Sequence, residues 1–239
     1  MSTNKNVPDA VLNTVTSALL PLISSIWNVG KIKELLPRQI AAQMHHVPPE
    51  NIIAPKLNVG GPAIEALRYA INEEQLLSLF VNFLAIAMNK DTTATAHPAF
   101  VEIIRQLTPD EAKVITLFKQ DVALSFVNVR WEFNNPADGK IGGKEVLLNY
   151  SHLGLQAQCE NPQLGAIYID NLCRLGLAEM PAFFQFSAPD TYAALEADPI
   201  VQSIVLDIQK DPGLKAIIER KGLRITALGH QFIKVCLPN

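Results

Sequence analysis

The sequence predicts a mainly α-helical protein with some β structure, that is, an α+β fold. Apolar residues recur at helical spacing through most of the first half of the chain. From Val127 to Asn134, apolar and polar residues alternate, which is typical of a half-buried strand. Helical segments and short strands then follow one another in winged-helix order. We therefore expect an N-terminal helical domain followed by a winged-helix-like domain with an inserted helical segment.

The uncharged segment from Ala10 to Gly30 predicts a long amphipathic helix, because polar residues dilute it too much for a transmembrane span. Its apolar residues recur at three- and four-residue steps, a spacing that buries one stripe against another helix. The stripe is expected to pack on its own domain or on a second copy of the chain. The alternative is a helix that enters a membrane on activation. The predicted oligomer or membrane contacts are Leu12, Val15, Leu19, Leu22 and Ile26.

The remainder of residues 1–107 is predicted to complete the helical domain. Pro37 is expected to end a helix, and the proline-rich segment 47–62 is expected to be a connector. Residues 73–89 are apolar around most of a helical circumference, so they predict a buried central helix. The domain boundary is predicted near Leu107, where the pattern changes.

Residues 108–239 are predicted to form the winged-helix-like domain. Thr108 and Glu111 form a capping-box pair that begins its first helix. The predicted helical insert covers about residues 187–220. The other predicted elements, in chain order, are a hairpin over 127–150, a short helix over 152–158, a helix over 161–175 in the recognition position, wing strands over 178–186 and 223–225, and a terminal helix; within the insert, helices are predicted over 190–196, 200–210 and 214–219.

The composition restricts the class of function. The chain has 239 residues with 20 Lys and Arg against 23 Asp and Glu, so it is not a polybasic nucleic-acid wrapper. Charged residues make up only 18%, which indicates apolar surface used for assembly or for membrane contact. Three scattered cysteines and the lack of a secretory signal pattern predict a cytoplasmic location.

Searches for catalytic motifs predict no enzyme, no cofactor and no metal site. The sequence has no G-x-S-x-G elbow, no H-E-x-x-H pair, no P-loop and no G-x-G-x-x-G loop. His45 and His46 are adjacent, and adjacent helical positions point about 100° apart, so they are expected at the surface rather than on one metal. His97 is expected to be a loop or cap residue, and the cysteines are expected to be free thiols. An unrecognised nuclease or hydrolase remains a third hypothesis.

A winged-helix regulator that binds DNA is the alternative function. The helix in the recognition position carries a single arginine, and the predicted wing adds three cations. These basic residues are few for a DNA-binding protein, because affinity for DNA depends on neutralising its phosphates. Nucleic acid is therefore disfavoured as a partner, and a protein-interaction module fits the charge better. The predicted contacts under this alternative are Arg174, Arg220, Lys221 and Arg224.

Four segments together resemble the abortive infection alpha (Abi-alpha) family of bacterial proteins. They are NIIAPKLNVGGPAIEALRYAINEEQLLSLFVNFLAIAMNKD (51–91), HPAFVEIIRQLTPDEAKVI (97–115), YIDNLCRLGLAEM (168–180) and LRITALGHQFIKVC (223–236). The resemblance spans about residues 45–236. It implies a role in defence against phage, in which infected cells stop growing or die before progeny emerge. It implies no catalytic residue.

Resemblance and composition together lead to one expected function. The chain is expected to be a non-enzymatic sensor or effector that forms homo-oligomers and contacts an unknown host or phage protein. Peripheral membrane contact on activation is a further expectation, carried by the uncharged N-terminal segment.

Overall fold

The structure is a computed structural model that describes residues 7–26, 30–119, 124–134 and 141–237. It confirms the predicted class, a mainly α protein with a small antiparallel sheet. The chain divides into two compact units. The first comprises Met1–Ala112 together with Gln231–Asn239, and the second comprises Lys113–His230.

The helices in the described ranges are α1 (Asp9–Ile26), α2 (Gly30–Gln43), α3 (Leu57–Ala70), α4 (Glu74–Met88), α5 (Ala99–Arg105), α6 (Pro109–Leu117), α7 (Leu153–Gln156), α8 (Gly165–Arg174), α9 (Ala193–Glu196), α10 (Pro199–Gln209) and α11 (Ala227–Cys236). The strands are β1 (Ser125–Phe133), β2 (Gly143–Tyr150), β3 (Ala178–Glu179), β4 (Leu214–Gly222) and β5 (Arg224–Ile225).

Helix α4 lies at the centre of the first unit, as its sequence predicts. Ten of its side chains are buried, and its Phe83 ring meets Phe100 edge-on at 6.5 Å. Phe100 in turn meets Phe232 at 5.5 Å. The buried Asn82 amide donates to the Cys236 carbonyl at 3.1 Å, which satisfies a polar group that would otherwise be expensive to bury. The end of the chain is thus tied to the centre of the first unit.

Helix α1 packs against α2 and α3 through one stripe. The buried residues recur every fourth position, at Val11, Val15, Leu19 and Ile23. This stripe is displaced from the predicted one, because it follows only one of the two apolar rows on the helix. Gly60 of α3 lies where a Cβ atom would come within 2.9 Å of Leu22 and 2.7 Å of Pro55, so its lack of a side chain permits the close approach.

Prolines inside the helices contradict two sequence-based boundaries. Helix α2 continues through Pro37, which was expected to end a helix, and α3 begins at Leu57, inside the segment 47–62 that was expected to be a connector. Proline removes one backbone donor and clashes with the preceding turn. Burial of the apolar faces of α2 and α3 outweighs this local penalty, because Leu36, Ile40, Ile64 and Leu67 are all removed from water.

The second unit is built on an antiparallel sheet in the order β2-β1-β4. The predicted hairpin strands are present, although its tip at residues 135–140 lies outside the described residues. The predicted helix over 214–219 is wrong, because this segment is strand β4, and the predicted 187–220 insert is therefore not wholly helical. Leu214, Ala216 and Ile218 pack on the core with a period of two, a pattern that sequence reasoning passed over.

The core of the second unit lies between this sheet and the two helices before β4. Strand β1 contributes Val127 and Val129, and α9 and α10 lie against it. The remaining buried members of this core are Tyr192, Leu195, Val201 and Ile208.

A two-stranded ribbon follows α8, in the place of a wing. It pairs Ala178 with Ile225 and Glu179 with Arg224, so the predicted strand over 178–186 is reduced to two residues. Gly176 ends α8 with φ of +73°, a left-handed conformation that favours glycine. The winged-helix assignment stays a prediction, because β4 joins the main sheet rather than an appended insert.

Candidate functional site: an apolar cleft in the second unit

A cleft of about 420 Å³ lies in the second unit, between the end of β2, helix α7 and the first turns of α8 and α10. Its volume falls in the range of about 300–1,000 Å³ that is usual for ligand sites. Three large side chains at its walls stay in water, since Leu148, Leu155 and Ile200 are 48%, 61% and 52% exposed. The lining residues are Leu147, Leu148, Tyr150, Ser151, His152, Leu155, Pro162, Gln163, Gly165, Ala166 and Ile200.

Two local features position the walls of the cleft. Asn149 adopts a left-handed φ of 53°, a conformation that asparagine tolerates. Its backbone N–H donates to Asn128 Oδ1 at 2.8 Å and its side-chain amide donates to Asp170 Oδ1 at 2.8 Å, which fastens the end of β2 to α8. In α7, a Cβ atom at Gly154 would come within 2.6 Å of the Pro162 carbonyl oxygen, so α7 approaches this loop because residue 154 is glycine.

A network centred on the Asp198 carboxylate holds the polar end of the cleft. Asp198 Oδ2 lies 2.9 Å from His152 Nε2, and Oδ1 accepts the Ile200 backbone N–H at 2.9 Å, which caps the start of α10. Burial raises the pKa of Asp198, but hydrogen bonds from His152, Ile200 and Tyr150 outweigh this effect and the net pKa is lowered. Burial, followed by the hydrogen bond to Asp198 and its charge, raises the pKa of Tyr150 to about 12.

Ser151 lines the same cleft, and its position decides what chemistry the cleft can perform. Its buried hydroxyl has no hydrogen-bond partner among the residues that the structure describes. Ser151 and His152 therefore do not form the nucleophile–base pair that covalent catalysis uses. The exposed leucine and isoleucine side chains of the cleft instead suit an apolar group.

The predicted interaction residues of α1 lie in two environments. Val15 and Leu19 are fully buried within the first unit. In the folded chain they cannot contact a second molecule, because they already pack against α2 and α3. Leu12, Leu22 and Ile26 are partly exposed.

Helix α1 is the one helix in the described ranges that is long and apolar enough to cross a membrane. A core helix of a soluble protein meets the same two criteria. Localisation therefore stays a prediction.

Each predicted nucleic-acid contact has a partner within the chain. Arg220 makes a two-pronged pair with Glu196, and its guanidinium lies 5.5 Å from the centre of the Tyr192 ring. The other three partners are Glu219 at 3.3 Å from Lys221, Glu179 at 2.7 Å from Arg224, and Asn171, whose Oδ1 accepts from Arg174 at 2.6 Å. Carboxylates lie beside three of these four cations and reduce the local positive charge. Nucleic-acid contact at these residues stays a prediction.

Outside the cleft, His45 and His46 lie at the surface, where the sequence predicts them. His97 Nδ1 accepts the Ala99 backbone N–H at 3.1 Å, so it is the cap residue that the sequence predicts. Within the described residues, no group of three metal-ligating side chains occurs. None of the three cysteines forms a disulfide within the described residues. Burial, with the charges of Asp170 and Glu179, raises the pKa of Cys173 to about 11. A thiol with a raised pKa is a poor nucleophile at neutral pH.

Sequence reasoning missed the cleft because four separated segments form it. Its strongest local signal is Asp198 before Pro199, the pattern of a capped helix start. That pattern predicts the beginning of α10 but does not show that His152 lies beside the carboxylate.

Comparison with solved structures gives one match. It is an uncharacterized protein from the hydrocarbon-degrading marine bacterium Alcanivorax borkumensis SK2, with 22% identity and a TM-score of 0.37. The match covers 61% of this chain and 94% of that chain. None of the curated proteins matches the chain at a significant level.

The comparison with protein families bears on function. The family model described as abortive infection alpha matches residues 29–236, a range that includes the whole cleft and leaves out α1. This match supports a defence role of the abortive-infection type and does not favour the DNA-binding alternative. Since most of the 239 residues are covered, the chain belongs to the abortive infection alpha family.

Proposed function

We propose that this protein is a non-enzymatic sensor or effector of abortive infection that acts by binding another protein through the apolar cleft. The observation that carries the proposal is the exposure of Leu148, Leu155 and Ile200 around one cleft. Apolar side chains gathered at one concave site are typical of interaction surfaces.

A partner that covers the cleft would remove three apolar side chains from water. Full burial of a leucine or isoleucine contributes roughly 1.5–3 kcal/mol, so covering a half-exposed one contributes on the order of 1 kcal/mol. Covering all three side chains therefore favours binding even if the partner forms no ion pair with this protein. The nearby Asp198 carboxylate does not oppose this binding, because it already accepts hydrogen bonds from His152 and from the backbone at the start of α10.

A role at the membrane requires a larger change than a role at the cleft. For α1 to enter a bilayer, it would have to withdraw Val15, Leu19 and Ile23 from the core of the first unit. This would expose the faces of α2 and α3 that they cover. The proposed site of action is therefore the cytoplasm, with membrane contact only after a triggering event.

Phage plating on bacteria that express point variants tests the proposal. A phage panel is first screened for one that the wild-type protein restricts. Leu155→Ser removes an exposed leucine from the cleft, and Leu206→Ser removes one that is 59% exposed in the same unit but outside the cleft. We expect at least a tenfold loss of protection for Leu155→Ser and full protection for Leu206→Ser, at equal protein levels.

Equal protection by Leu155→Ser and wild type would reject the cleft as the binding surface. Deletion of the first 30 residues is a poorer test, because it would remove part of the core of the first unit.

A further inference from the structure

The two edges of the antiparallel sheet differ in regularity. Strand β4 pairs with β1 in one unbroken register over its nine residues, from Leu214 to Gly222. Strand β2, at the opposite edge, has two register shifts against β1, and its Asn149 has a left-handed φ. Bulges of this kind on an edge strand hinder pairing with another chain. Because β4 has neither a bulge nor a proline, its edge is the one that can accept a further strand.

The hydrogen bonds to β1 determine which backbone groups of β4 point away from the sheet. At one end of the β1–β4 ladder, the Leu223 N–H donates to the Leu124 carbonyl at 2.8 Å. At the other end, the Asn134 N–H donates to the Gly213 carbonyl at 2.8 Å. Bonded and non-bonded pairs alternate along an antiparallel ladder. The odd-numbered residues of β4 therefore bond to β1, and the backbone groups of its even-numbered residues point outward.

The outward-facing edge of β4 is not paired with any other strand of the described chain. Among the described residues, the backbone groups of Ala216 and Ile218 take part in none of the backbone hydrogen bonds that lie outside helices and ladders. Helix α10 packs on the side chains of these two residues, on one face of the sheet. Such an edge is a template for a strand of another chain, whose backbone can satisfy these groups.

We propose that β4 of one copy of the chain pairs antiparallel with β4 of a second copy, around a two-fold axis at Ile217. In this register, Ala216 of each copy lies opposite Ile218 of the other and exchanges both backbone hydrogen bonds with it. The two three-stranded sheets then form one continuous sheet. The contact goes beyond the proposed function, because none of the residues that line the cleft belongs to β4.

Complementary charge favours a second copy as the partner of this edge. Ala216 and Ile218 face the core of the second unit, so Lys215, Ile217 and Glu219 lie on the opposite face of the strand. Across the axis, Lys215 of each copy faces Glu219 of the other, and the two Ile217 side chains face each other. These are non-hydrogen-bonded pairs, in which side chains approach most closely, and opposite charges at such positions are stabilising.

The neighbouring registers lack this complementarity. Because the outward-facing residues of both strands must meet, the register changes only in steps of two residues. A step in one direction brings Lys215 opposite Lys221 of the other copy, and like charges directly opposite are destabilising. A step in the other direction brings Lys215 opposite Ile217 and so removes both ion pairs. The β4 sequence is therefore complementary to itself in the proposed register.

Sedimentation equilibrium of the purified full-length protein tests the contact. The wild-type mass should rise with concentration from 26.2 kDa to twice that value. Lys215→Glu sets carboxylates opposite each other and Glu219→Lys sets ammonium groups opposite each other, so each variant should dimerise at least tenfold more weakly. Lys144→Glu is the matched control, because it reverses an exposed lysine on β2, the other edge of the sheet. It should dimerise like wild type.

Mixing the two defective variants gives the sharper test. One copy of Lys215→Glu and one copy of Glu219→Lys carry opposite charges at both cross-strand positions. Their mixture should therefore form a one-to-one dimer that neither variant forms alone. Circular dichroism identifies the variants that are folded, and failure of the folded variants to complement each other would overturn the proposal.

Amide hydrogen exchange followed by mass spectrometry locates the contact. Peptides that cover β4 should exchange more slowly in wild type than in Lys215→Glu at the same concentration, because pairing protects the amides of Ala216 and Ile218. Peptides that cover β2 should not differ. Equal exchange of the β4 peptides in the two proteins would contradict the contact.

Three further results would reject the β4 dimer. They are a wild-type protein that stays monomeric at every concentration, a dimer that survives both charge reversals, and a dimer that Lys144→Glu dissociates. None of these results bears on the cleft, whose role is measured separately by phage plating.

Discussion

The two units of the molecule treat their apolar side chains differently. Among the residues that the structure describes, the first unit leaves two large hydrophobic side chains exposed, Leu57 and Tyr69, whereas the second unit leaves eleven. The first unit closes its helices around α4, and the second covers one region of its sheet with α9 and α10. This difference in exposure supports the proposal that the binding surface lies on the second unit.

Among the variants that test this difference between the units, Leu19→Asp in the first unit is expected to reduce stability most. Leu19 is fully buried, and an unpaired carboxylate there should destabilise the unit by more than about 4 kcal/mol. Amide exchange followed by mass spectrometry should show loss of protection across peptides of α1 to α4. Ser17→Asp, at an exposed position of the same helix, should change stability by less than about 0.5 kcal/mol. Similar behaviour of the two variants would contradict the packing of α1.

A smaller effect is expected from a single added methyl group on α3. Gly60→Ala places a Cβ atom against the Pro55 ring and Leu22, and overpacking of this kind destabilises by about 1–3 kcal/mol. At Gly61 the added atom meets only Leu57 Cδ1, at 3.8 Å, so Gly61→Ala should be neutral or stabilise α3 by up to about 1 kcal/mol. Urea denaturation followed by circular dichroism separates the two variants. The reverse order of stability would show that α1 and α3 do not meet at Gly60.

The smallest expected effect lies at the polar end of the cleft, in the second unit. Asp198→Ala removes the cap of α10 and the bond to His152, and should destabilise this unit by about 1–2 kcal/mol near pH 7. The pKa of Asp198 is lowered on folding, so its contribution is fully present above its usual value of 3.8 and is lost as the pH falls through the folded value. The difference between the variant and wild type should therefore shrink in acid.

A matched control for this pH series exists on the same helix. Asp207 pairs with Lys210 at 2.6 Å, but both side chains are mostly exposed, so Asp207→Ala should change stability by at most about 1 kcal/mol. Urea denaturation at pH 7, 5 and 3 gives the comparison. A constant difference between Asp198→Ala and wild type down to pH 3 would contradict the assigned network.

Several local features could be predicted because nearby residues determine them. Thr108 and Glu111 form the predicted capping box, with reciprocal bonds of 2.7 and 3.1 Å. The central helix lies within one residue of its predicted bounds at each end, since its apolar residues surround the helix. The β1–β2 hairpin follows the alternation that begins at Val127.

Other features could not be predicted, because partners distant in the sequence decide them. Residues 214–219 have enough helix-forming residues to suggest a helix, yet they form a strand because β1 offers an unpaired edge. In α1, two apolar rows were available, and the contacts with α2 and α3 selected the one that includes Ile23. The cleft required β2, α7, α8 and α10 to meet, and no local pattern encodes that meeting.

By itself the sequence determined the α+β class, the central helix, the hairpin and membership of a defence family, because each depends on residue patterns read along the chain. Only the tertiary structure decided which face of α1 is buried, that β4 completes the sheet, and that Asp198 lies beside His152 at a cleft. The physical reason is that burial and hydrogen bonding between distant segments contribute more free energy than local propensity, whose differences are mostly below about 1 kcal/mol per residue.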